Sequence, residues 1–98
     1  MTIKIKLGEA YFNNGFIYIR KKYQDYIGIH GSYINVFLGT WDSNPIISKI
    51  NRTAQSSNSP RIMIGSDFTN WVQSNHNKGD YLSVEILNSN YPNAILIK

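Results

Sequence analysis

Residues 2–7 (TIKIKL) alternate strictly, with Ile3, Ile5 and Leu7 on one side and Lys4 and Lys6 on the other. A period of two is the signature of a strand with one buried face. The pattern returns at 33–40, where Ile34, Val36 and Leu38 point inward and Tyr33, Asn35 and Phe37 outward, and at 81–87, where Leu82, Val84 and Ile86 point inward. Shorter β-rich runs cover 16–19, 46–51, 61–65 and 94–97. Two stretches switch to helical spacing instead. Tyr23, Tyr26 and Ile27 fall at i, i+3 and i+4, with Gly28 positioned to stop a helix over 20–27. Phe68, Trp71 and Val72 repeat that spacing behind Ser66, a plausible N-cap, and Asp67. Phe68 and Trp71 therefore belong to a buried stripe.

Between these runs lie turn signals. Residues 8–15 (GEAYFNNG) end on Asn13-Asn14-Gly15 and read as a turn with Tyr11 and Phe12 packing locally. Residues 41–45, 74–80 and 88–92 are further connections. The segment 49–61 (KINRTAQSSNSPR) is a polar loop framed by two strands, holding Lys49, Arg52 and Arg61 and no carboxylate. Seven short strands and two short helices, without repeat or linker, exclude a doubly wound sheet. They predict a mainly β chain, a closed or nearly closed barrel plugged by two helices.

Length and charge sharpen this only a little. The 98 residues suit one domain spanning 1–98, and a 42% hydrophobic content suits a modest core. With no cysteine, disulfides and cysteine-ligated zinc are excluded. The N-terminus does not read as a signal peptide and no run is long enough for a membrane helix, so no membrane partner is expected and the expected compartment is the cytoplasm. A net charge of +4 favours an anionic partner.

Catalytic patterns fail one after another. Phe16-Ile17-Tyr18 with Tyr26-Ile27-Gly28 is similar to the paired tripeptides of GIY-YIG nucleases, but the first lacks its glycine and the gap is short. His76-Asn77-Lys78 opens like a phospholipase D-type motif, yet Ser83 stands where Asp is needed. Glu9, Asp25, Asp42, Asp67, Asp80 and Glu85 are scattered, with no acid-x-Lys pair after a strand for metal-dependent cleavage. No nucleophile motif frames a serine. The expectation is a chain with no catalysis of its own and no cofactor.

The order strand, polar connection, strand, helix, two strands, polar connection, strand, helix, two strands resembles the DNA-binding pseudobarrel. That fold is shared by plant B-three transcription-factor domains and by recognition domains of restriction endonucleases such as EcoRII and BfiI. Ile50-Asn51-Arg52-Thr53, the P-R-I-x-I-G run at 60–65, Trp71-Val72-Gln73 and G-D-Y-L-S-V-E-I at 79–86 carry the likeness, with Tyr11-Phe12-x-x-Gly15-Phe16 near the start. The resemblance implies a seven-stranded open pseudobarrel with two short helices whose two arms, 8–15 and 52–61, grip the major groove of duplex DNA. Arg52 and Arg61 would read guanine or clamp phosphate, and Asn13, Asn14, Gln55 and Asn58 would meet adenine or cytosine edges. Glu9 would accept from a cytosine amino group. Tyr11, Thr53 and Ser57 complete the arm contacts, while Arg20, Lys21, Lys22, Lys49 and Lys78 would hold phosphates. The partners implied are double-stranded DNA and a nuclease domain or subunit. A small nuclease, or a β-barrel module stacking unpaired bases or sugars on Tyr33, Phe37, Trp41 and Tyr91, are the alternatives.

Overall fold

Alternation alone does not say which strands lie at a sheet edge, and here the edges decide the shape. The computed structural model describes residues 1–53, 59–87 and 94–98. Its strands are β1 (Thr2–Lys6), β2 (Phe16–Tyr18), β3 (Tyr33–Leu38), β4 (Ile46–Asn51), β5 (Arg61–Met63), β6 (Tyr81–Leu87) and β7 (Ala94–Ile97). They form one mixed sheet in the order β1-β6-β7-β3-β4-β5-β2. Every neighbouring pair is antiparallel except β3 with β7. β1 and β2 stand at opposite ends of that order and do not pair, so the sheet curls into a half-barrel with an open seam. The chain is a mainly β, seven-stranded open pseudobarrel.

The concave side is filled by the residues that the alternation directs inward: Ile3, Leu7, Ile34, Val36, Ile62, Leu82, Val84 and Ile86 are all buried. Ile95 and Ile97 continue this floor, while Ala94 and Leu96 on the other face of β7 are also buried. A strand covered on both sides needs no polar positions, which is why this run is uninterrupted Ala-Ile-Leu-Ile. Ser48 is the exception in the core; its hydroxyl donates to Ile46 O at 3.2 Å. Helix α2 (Ser66–Asn75) plugs the barrel with Phe68 and Val72, both at 0% exposure, and Trp71 packs against the same cluster. Burying those two side chains contributes about 3–5 kcal/mol. An isolated ten-residue helix would not hold in water, so packing maintains it.

Three local expectations are corrected. Residues 8–15 are not a plain turn: Glu9–Asn13 forms a short helix, α1, with Gly8 at its N-cap. Glu9 suits the first turn, Ala10 costs nothing in a helix, and the Asn13-Asn14-Gly15 turn follows instead of replacing it. The helix over 20–27 is a 3-10 helix, Lys21–Tyr26. Its tighter pitch separates i+3 from i+4, so Ile27 enters the core while Tyr26 remains 40% exposed. Three cations at its start also oppose a longer α-helical dipole. Finally, Gly65 rather than Ser66 caps α2. Its carbonyl accepts the N–H groups of Phe68 and Thr69 at 3.1 and 3.4 Å, with no side-chain cap.

Gly65 also makes a close backbone contact with Gly15. Gly15 O accepts both Ile64 N–H (3.0 Å) and Gly65 N–H (2.7 Å), which ties the start of β2 to the end of β5. Gly15 has φ +72, and a Cβ there would lie 2.6 Å from Gly65 O. Gly15→Ala should cost at least ~2 kcal/mol, as a strained φ compounded by a backbone clash. Gly8→Ala, at φ −80 with nothing within 4 Å of the new methyl, should be neutral or stabilising by up to ~1 kcal/mol. Urea unfolding of the two variants checks the contrast.

Candidate nucleic-acid interface

The open seam is a cleft of about 550 Å³. Thr2, Lys4, Ile5 and Lys6 of β1 form one wall, and Tyr18, Arg20 and Tyr23 form the other. Tyr11 of α1 and Ser59, just before β5, complete the lining. The two polar connections singled out in the sequence therefore border the same cleft. Among the described residues three cations line it, Lys4, Lys6 and Arg20, and no carboxylate does.

Tyr11 determines why the seam stays open on the β2 side. Its ring lies 6.0 Å from Phe16 and 6.3 Å from Tyr18, half-buried over the edge strand. Burial pushes the phenol pKa above its usual 10.0; the Tyr18 main-chain N–H, donating to its hydroxyl, pulls the other way, and the Tyr18 phenol adds to the rise. Tyr11 thus covers an edge donator that another strand would otherwise take up. That is a structural task, distinct from the base contact expected of it.

The remaining residues of the first connection are spread around α1. Glu9, Asn13 and Asn14 are exposed. Gln73 Nε2 donates to Phe12 O at 2.9 Å and reaches Asn13 Oδ1 at 3.4 Å, so α1 is fastened to α2 rather than swinging freely. The amide of Asn14 stays open to solvent while its N–H closes the helix on Ala10 O at 2.9 Å.

At the second connection the two arginines are already engaged. The Arg52 guanidinium donates to Gly28 O at 3.4 Å and to the Gln24 side-chain oxygen, and the Arg52 N–H donates to His30 Nδ1 at 3.1 Å. Arg52 therefore binds the end of β4 to the 3-10 helix. Thr53 N–H donates to Asn51 Oδ1 at 2.9 Å, an Asx-type start to the loop. Gln55, Ser57 and Asn58 lie outside the described residues, as does Tyr91. Arg61 is stacked 4.7 Å above the Phe16 ring and 5.9 Å from that of Tyr18, with a 3.4 Å bond to the Tyr18 hydroxyl. Part of its fork is thereby used on the outer face of β2 and β5.

The cations expected to hold phosphates lie in three places. Arg20, Lys21 and Lys22 are exposed at the start of the 3-10 helix, on one lip of the seam, with Lys22 Nζ 5.0 Å from the Tyr23 ring centre. Lys78 is exposed in the turn whose Gly79 N–H donates to Leu7 O at 2.8 Å, beside the end of β1. Lys49 is elsewhere: it pairs in register with Tyr33 and Met63 on the outer sheet face, two strands in from β2. Sequence reasoning missed Lys4 and Lys6, because alternation marks an outward face but not an edge strand.

Of the four rings of the alternative platform, three lie among the described residues. Phe37 and Trp41 pack on each other at 5.0 Å, and Tyr33 lies four residues from Phe37 along β3, about 13 Å away. Among the described residues no three His, Cys, Asp or Glu side chains converge to hold a metal ion, and no helix is long and apolar enough to cross a membrane. A comparison with protein-family models finds no match, and a comparison with curated proteins finds no relative.

Two measurements test these assignments. Arg52→Met should lose about 1–2 kcal/mol of stability, and Arg52→Lys should not restore it, because a lysine cannot supply the planar fork. For Tyr11, a raised folded pKa means that the neutral phenol is favoured: its contribution is complete below pH 10 and is lost as pH rises through the folded value. The fall in thermal midpoint above pH 10 should therefore be shallower in Tyr11→Phe than in the parent chain.

Proposed function

We propose that the chain is a sequence-specific reader of double-stranded DNA that acts through the two connections flanking its seam, as the specificity module of a restriction endonuclease. The observation that carries this reading is the lining of one cleft by both connections, through Tyr11 and Ser59, with Lys4, Lys6 and Arg20 and, among the described residues, without a carboxylate. The pseudobarrel fold supports it, because the family resembled uses the same two connections to grip a major groove. That groove, about 12 Å wide, admits a helix or a two-stranded ribbon.

Affinity and readout come from different residues. Arg20, Lys21, Lys22 and Lys78, with Lys4 and Lys6, neutralise phosphates and supply a salt-dependent, sequence-independent term. Glu9, Asn13 and Asn14 on the first connection, and Thr53, Gln55, Ser57 and Asn58 on the second, carry the donors and acceptors that distinguish base edges. Arg61 has guanidinium donors left over from its bond to Tyr18, whereas Arg52 serves to hold the second connection in place. The outer-face Lys49 is the least suited of the cations to this role. Cleavage is left to a separate nuclease domain or subunit, and the binding mode needs no cofactor.

The test is selection from a randomised duplex library at physiological salt, followed by sequencing of the bound DNA. A motif of a few base pairs is expected. Lys21→Ala should weaken binding to all duplexes alike and reduce the salt slope by about one, while Asn14→Ala should relax one position of the motif at a cost of about 1–3 kcal/mol. Retention without any motif, or no retention, would overturn the reading.

A further inference from the structure

The two strand edges that face the seam are not alike. On β2, Tyr11 packs over the edge, its ring 6.3 Å from that of Tyr18. On β1, the main-chain groups of alternate residues turn toward β6: Ile86 N–H donates to Met1 O, and Leu7 N–H to Asp80 O, each at 2.7 Å. The register Ile3↔Val84 and Ile5↔Leu82 continues that set. In an antiparallel ladder the intervening residues, Thr2, Lys4 and Lys6, must then direct their N–H and C=O groups away from β6, into the seam. Gly8 N–H takes Lys6 O at 3.0 Å. Among the described residues nothing in the chain bonds the edge groups of Thr2 and Lys4.

We propose that this edge binds an extended acidic peptide segment, which joins β1 as a further strand and fills the seam. Side chains specify the pattern. Neighbours on the outer face of an added strand would lie beside Lys4 and Lys6, where Asp or Glu fits. Neighbours on the inner face would lie beside Ile3 and Ile5, where an apolar side chain would complete the cover of Ile5, left half-buried. The favoured segment therefore alternates acidic and apolar residues. Its far edge would meet Arg20 and Tyr23 on the opposite wall.

The occupant is a segment outside residues 1–98. A second copy would set Lys4 and Lys6 against the same lysines, and like charges directly opposite destabilise a strand pair. The chain itself offers no such segment, since its six carboxylates never alternate within one run. Lysines on an edge are a common guard against self-pairing, but a guard needs neither a walled cleft nor a half-covered isoleucine. The inference does not depend on DNA binding and is measured without DNA.

The probe is a labelled peptide of about eight residues alternating Glu and Val, with a Lys-Val counterpart and a Glu-Val peptide N-methylated on alternate residues. The Glu-Val peptide should bind at physiological salt and protect the Thr2 and Lys4 amides from hydrogen exchange. N-methylation along the edge that meets β1 should weaken it by at least about tenfold, because the ladder is lost at unchanged charge. The double variant Lys4→Glu, Lys6→Glu should release the Glu-Val peptide and take up the Lys-Val one, which also shows that it is folded. Equal binding of the methylated peptide, protection elsewhere, or no binding would each overturn the proposal.

Discussion

A sheet of seven strands closes into a barrel only if its first and last members pair, and here they do not. β1 and β2 are consecutive in sequence, yet the connection between them folds into α1 and lays Tyr11 across the edge of β2. The pairing lost costs the fold several ladder hydrogen bonds. In exchange the molecule keeps a cleft whose two walls come from strands at opposite ends of the sheet order. Phe68 and Val72 of α2, together with Ile27, belong to the same buried core as the strands.

The same constraint explains where charge collects. A closed barrel would turn Lys4 and Lys6 into two members of a solvated outer face, indistinguishable from Lys49. At an edge they border a concavity, where low-dielectric walls keep their field from being screened as it would be on an open surface. Arg20 faces them with its neighbours Lys21 and Lys22 nearby in sequence. A modest net charge of +4 thus acquires direction from topology. Composition alone cannot show this.

Strand positions were legible in the sequence because isoleucine and valine recur every second residue and a buried face tolerates little else. β7 was legible for the opposite reason, since Ala-Ile-Leu-Ile has no polar face to lose. What escaped was of two kinds. The order of strands in the sheet depends on contacts between residues far apart in the chain, such as Ile3 with Val84 and Val36 with Ile95, and no local pattern encodes them. Short helices fell below the threshold at which periodicity is visible: five residues in α1 cannot outweigh an adjacent Asn-Asn-Gly turn signal. The arginines form a third case. Arg52 and Arg61 look equally free in a polar loop, but one is held by Gly28 and Gln24 and the other by an aromatic pair.

That last distinction bears on how a reader of this shape would divide its labour. Arginine is the strongest single reader of guanine, and a connection whose arginines are partly spent on its own scaffold would rely more on amides and hydroxyls. Those groups discriminate bases by matching donors to acceptors, but each contributes little affinity in water. They function only when something else holds them against the groove. The lysines at the lips of the seam would meet that need without sequence preference. Fastening α1 to α2 through Gln73, and the second connection to the 3-10 helix through Arg52, lowers the ordering cost at the moment of contact. Arg52 would therefore bear on recognition without touching DNA, by holding the end of β4 to the 3-10 helix.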